Sequence, residues 1–149
     1  YKFDFSSFGK AFWVSDSSFY ASNGKEYYKF KIQDKRITYS NELRENIVNS
    51  ENNKFIIKVD KLKDGTIRYT SWNKPNTTID TPSLVLYNGE VEQQTKYGSG
   101  FDYRFQNGEY LYMIENNIET TSAKRLMLRL YKNYDEILYT SLTDLNKKK

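Results

Sequence analysis

Four dipeptides of one kind, Asn23-Gly24, Asp64-Gly65, Asn88-Gly89 and Asn107-Gly108, recur along the chain. Both members of such a pair tolerate the positive φ angles of a tight reversal, so each marks a place where extended chain turns back on itself. Around the last of them Phe101, Tyr103 and Phe105 alternate with Asp102 and Arg104, and Tyr110, Tyr112 and Ile114 alternate beyond the turn. A period of two is the signature of a strand with one buried face.

The same alternation places Phe55, Ile57 and Val59 on one face of a strand that leads through Asp64-Gly65 to Ile67 and Tyr69. Tyr28, Phe30 and Ile32 pass through Gln33-Asp34-Lys35 to Ile37 and Tyr39, a third hairpin, and Leu126, Leu128 and Leu130 pair with Ile137 to Tyr139. One segment departs from this pattern. Ser40 to Val48 is the single helical candidate, with Ser40 or Asn41 as cap and Leu43, Ile47 and Val48 on one face. Asn73 to Pro82, which holds both prolines, is expected to be a surface loop, and Gln93 to Gly100 a second, glycine-bearing one.

Short strands joined by tight turns, with no long helix to cover a parallel sheet, predict an all-β fold: an antiparallel small barrel or sandwich with at most one short helix. The length of 149 residues suits one core. Residues 1–146 are read as a single all-β domain and 147–149 as a basic disordered tail. With 14 Tyr and 9 Phe, rings must build much of that core, and aromatics favour strands.

The formal charge of +4 includes the three lysines of the tail, so the body carries only +1. Its Lys and Arg are spread along the strands rather than gathered on one face, which argues against nucleic acid as a partner. No apolar run approaches the roughly 18 residues of a spanning helix, so no transmembrane segment is expected. The chain opens on Tyr1 rather than Met, the pattern of an exported protein whose leader has been removed or of a piece cut at a domain edge. An exported location, periplasmic or secreted, is therefore expected.

His and Cys are both absent. Imidazole and thiolate nucleophile chemistry, disulfides and the usual zinc sites are excluded with them. No calcium loop of the EF-hand kind and no phosphate-cradling glycine loop occurs. The expectation is a protein that is not an enzyme, with no catalytic residues, no metal and no cofactor. Trp72 and the tyrosines admit a second expectation, a carbohydrate or small-ligand binding β domain that uses exposed aromatics. Against it stands the need for rings to fill the core.

Thr81-Pro82-Ser83-Leu84-Val85-Leu86, Tyr97-Gly98-Ser99-Gly100-Phe101-Asp102-Tyr103 and Phe105-Gln106-Asn107-Gly108-Glu109-Tyr110, with a closing Leu130-Tyr131-Lys132-Asn133, resemble small uncharacterised exported all-β bacterial proteins. Ser99-Gly100-Phe101-Asp102-Tyr103 also resembles the Ser-Gly-x-x-Tyr loop of periplasmic inhibitors of c-type lysozyme, small antiparallel barrels whose loop serine enters the partner's cleft. The stretch comparable to that family's lysine loop, Ile114-Glu115-Asn116-Asn117, has no lysine, and the family's disulfide is absent. What the resemblance implies is thus a rigid β scaffold presenting loops to another protein, such as a hydrolase or toxin, in an inhibitor-like or immunity-like role. Lys96, Tyr97, Ser99, Gly100 and Tyr103 would form or flank the contact loop, with Trp72 as a further contact. Alternatively, Gly98 and Gly100 simply let the chain turn.

Overall fold

The computed structural model describes the backbone of residues 10–15, 18–22, 27–33, 36–40, 43–94, 100–117 and 125–146, and side chains in the last three of these segments. All regular structure among the described residues is β-strand, in antiparallel pairing throughout. No helix is long and apolar enough to cross a membrane.

Four strands, β1 (Lys10–Ser15), β2 (Ser18–Ser22), β3 (Tyr27–Gln33) and β4 (Arg36–Ser40), form a meander of their own. The expected third hairpin is the β3–β4 pair, with Ile32 opposite Ile37. The Asn23-Gly24 pair lies outside the described residues, between β2 and β3.

Four strands of a five-stranded sheet follow, β5 (Leu43–Glu51), β6 (Phe55–Leu62), β7 (Ile67–Asn73) and β8 (Leu84–Leu86). The chain then crosses to a second five-stranded sheet, β9 (Glu90–Gln93), β10 (Phe101–Asn107), β11 (Tyr110–Asn116), β12 (Leu126–Lys132) and β13 (Asp135–Ser141). It returns as β14 (Thr143–Asp144), which pairs with β5 and so closes the first sheet's free edge. The two sheets remain separate, so the fold is a sandwich and not a closed barrel.

Ser40 to Val48 is not a helix: Leu43 opens β5. The strand carries two register shifts against β6, between Leu43 and Glu45 and between Asn46 and Val48. Each inserted residue displaces the apolar phase by one, so Leu43, opposite Leu62 on the side of Asp60, and Val48, opposite Val59 in the core, acquire a spacing that resembles a helical face.

One core fills the sandwich. Val48, Ile57, Val59, Ile67 and Tyr69 from the first sheet meet Tyr103, Phe105, Ile114, Leu126 and Leu128 from the second, with Leu142 between β13 and β14. Tyr69 bridges the layers, its ring 5.5 Å from those of both Phe105 and Tyr112.

The turns follow different chemistry from one another. At Asp64-Gly65 the glycine takes φ +90° and the Asp64 carboxylate accepts from the Thr66 amide, which holds that carboxyl below its usual range. At the β10–β11 turn Asn107 stays in the ladder opposite Tyr110, and Gly108 at φ +60° leads a two-residue Gly-Glu turn. Asn88-Gly89 makes no hairpin. It carries the crossover between sheets, and a Cβ on Gly89 would lie 2.3 Å from the Phe105 ring.

The first sheet is buried on its other face as well. Lys58, Asp60, Arg68, Thr70 and Trp72 are all buried there. The Arg68 guanidinium donates to Asp60 at 2.8 Å, and Asn46 Nδ2 donates to the other Asp60 oxygen at 2.7 Å.

Candidate functional site

The residues named from sequence fall in three different places. Trp72 is fully buried, its indole N–H donating to the Asp80 carbonyl at 2.9 Å. Its ring face is therefore not presented to solvent, and the expectation of an exposed Trp72 contact is corrected. The loop expected at Asn73 to Pro82 is on the surface, with Asn73 itself the last residue of β7, yet its Asp80 carbonyl completes a buried side chain. Tyr103 points into the sandwich at 6% exposure, and burial, with the Glu45 charge nearby, pushes its hydroxyl pKa up. It is a core residue and not part of a contact loop.

Gly100 is buried at the start of β10, where a Cβ would lie 2.6 Å from the Asn116 carbonyl. A glycine stands there because two strands approach closely. Lys96, Tyr97 and Ser99 lie outside the described residues.

The second sheet's outward face carries the more distinctive surface. With Tyr103, Phe105, Ile114 and Leu128 inward, the alternate positions Arg104, Gln106, Leu111, Met113, Arg129 and Tyr131 point outward. Leu111, Met113 and Tyr131 help line a depression of about 570 Å³, with Arg104 and Gln106 on one side. The β12–β13 turn overhangs it.

That turn is Asn133-Tyr134, with φ of 49° and 71°. Glycine ordinarily occupies the second position of such a turn, and a left-handed conformation costs a bulky L-residue roughly 1–2 kcal/mol. Tyr134 nevertheless stands there with 99% of its surface exposed. The turn is braced from below: the Asn133 amide donates to the Glu109 carbonyl at 2.9 Å, and Asn133 Nδ2 donates to the Glu109 carboxylate at 3.2 Å. Two neighbouring turns are thus held as one platform.

Charge is unevenly placed on this face. Glu90, Glu92, Asp102, Glu115 and Glu136 stand against Arg104 and Arg129, a local excess of three negative charges in a chain whose total is +4. Arg104 pairs with Glu92 at 3.0 Å, and Arg129 pairs with Glu115 and, at 3.0 Å, with Glu136. The Arg129 guanidinium lies 3.9 Å from the centre of the Tyr139 ring. Burial opposes the charge of Arg129, but hydrogen bonding to Tyr131 and the Glu115 carboxylate outweigh it and push its pKa up. Among the described residues no three carboxylates converge as ligands of a metal ion would.

Sequence reasoning missed Tyr134, Tyr131 and Met113. A signal existed in Lys132-Asn133-Tyr134-Asp135, a polar four-residue reversal between two apolar strands with tyrosine where glycine is customary. No protein-family model matches this chain, and searches of curated proteins and of solved structures return no match either.

Proposed function

We propose that this protein is a non-catalytic, exported binding domain, inhibitor-like or immunity-like, which occludes a basic surface of a partner protein such as a hydrolase or toxin. The outward face of the second sheet is the contact. The observation that carries this reading is Tyr134, a wholly exposed ring kept in a left-handed backbone conformation. Such a residue adds no packing and costs stability, and strain retained without a structural return points to function. Tyr and Arg, gathered here as Tyr131, Tyr134 and Arg104, are residue types enriched where proteins meet. The braced turns reduce the entropy lost on docking, and the acidic excess selects a cationic partner.

The test is affinity capture from the exported fraction of the source organism, with wild type beside Tyr134→Gly. A basic protein should be retained by wild type, released progressively by added salt, and lost with Tyr134→Gly although that variant is folded. Equal capture by both proteins, or capture insensitive to salt, would contradict the reading. A platform centred on Trp72 has no support, because that ring is buried.

A further inference from the structure

Away from that face, the sandwich does not close evenly. In its middle Ile57, Tyr69, Ile114 and Leu128 meet, but toward the start of β6 and the end of β7 the inner faces part around a pocket of about 310 Å³. Its depth and its mouth differ in chemistry. The floor is made by Tyr69 and Leu128, at 2% and 3% exposure, and the walls by half-buried Phe55, Leu84, Tyr112, Leu130 and Leu138. Asn73 and Ser83, both exposed, stand at the mouth, with Ser71 behind them. None of the lining side chains is charged.

Protein interiors seldom leave a gap larger than a water molecule, and this one holds about ten water-sized volumes. Phe55 and the four leucines offer water no hydrogen bond, and the polar groups of the lining are the hydroxyls of Tyr69, Ser71, Ser83 and Tyr112 and the amide of Asn73. Among the polar groups at the mouth, the Ser83 hydroxyl already accepts from the Asn73 amide at 2.9 Å, which fixes the rim in place. From this lining, in which Phe55 and four leucines form an apolar wall and every polar group is uncharged, we infer that the inter-sheet pocket binds a medium-length aliphatic chain with an uncharged polar end, such as an alkyl alcohol or amide. The chain lies against the leucines, and its polar end meets Asn73 and Ser83. A carboxylate end is disfavoured because the lining has no cation to meet it. This site is separate from the outward face of the second sheet and does not depend on the function assigned to that face.

Calorimetric titration of the whole protein with 1-hexanol, 1-octanol and octanoate tests it. One site is expected, with octanol bound about fifteenfold tighter than hexanol, since each of the two additional buried methylenes contributes roughly a fourfold factor. Octanoate should bind at least about tenfold more weakly than octanol. Leu138→Trp fills the pocket from a partly exposed wall and should abolish octanol binding, and Leu84→Phe from the opposite sheet should do the same if Leu138→Trp fails to fold. Binding that ignores chain length, favours octanoate, survives in a folded filled variant, or is absent in the wild type would overturn the assignment.

Discussion

Asp60 and Arg68 form an ion pair with side-chain exposures of 2% and 0%, on the face of the first sheet that points away from the sandwich core. Asp60→Ala removes the acceptor of two hydrogen bonds, from Arg68 at 2.8 Å and from Asn46 at 2.7 Å. Breaking a buried pair from one side typically costs about 3–5 kcal/mol, because the remaining charge keeps its desolvation penalty and loses its counter-ion. Arg68 has further interactions. The expected loss therefore lies near the lower end, about 3 kcal/mol, or roughly 10 °C in Tm for a chain of this size.

Urea unfolding followed by tryptophan fluorescence would show it as a midpoint lower by roughly 1–2 M at unchanged slope. Replacing both partners, Asp60→Leu with Arg68→Met, should lie closer to wild type than Asp60→Ala alone, since a buried pair exchanged for apolar side chains leaves no orphaned charge. A loss under about 1 kcal/mol for Asp60→Ala would refute the reasoning, because only a water-accessible pair is worth so little.

Other expectations concern single positions. Gly89→Ala should destabilise by about 1–3 kcal/mol in the same assay, since its Cβ would meet the Phe105 ring and that ring sits in a filled core. Tyr134→Gly should instead raise stability by roughly 0.5–1 kcal/mol, through relief of the left-handed strain less the extra chain entropy of glycine, and a lower Tm would contradict the strain. Burial pushes the hydroxyl pKa values of Tyr69, Tyr103 and Tyr112 above 10.0. Stability from these groups is fully present below pH 10.0, the unfolded value, and declines as pH rises from there through the folded values. Absorbance at alkaline pH should show these rings ionising together with the loss of near-ultraviolet circular dichroism, and ionisation well before unfolding would count against their burial.

How much of this could be read in advance differs from strand to strand. The β10–β11 and β6–β7 hairpins were legible because one inward face alternates strictly with one outward face, and the turns between them hold a glycine at positive φ. At β5 the same reasoning failed, since register shifts at two points move the apolar residues out of phase and imitate a helix. Trp72 misled for a related reason. It lies on the outward side of β7, where alternation predicts solvent, yet that whole face is buried.

Strand periodicity, turn chemistry and the missing imidazole and thiol groups are local properties, so the amino-acid order alone determined an antiparallel all-β chain without His or Cys chemistry. Whether the sheets would close into a barrel, that Asn88-Gly89 would carry a crossover instead of a hairpin, and that Tyr134 would overhang a depression depended on contacts between residues far apart in sequence. Gly89 shows the reason most directly: it must be glycine because of Phe105, a ring brought against it only once β9 has paired with β10, where Glu90 stands opposite Arg104. Register and sheet packing are set by such long-range fits, and no short window of sequence contains both partners.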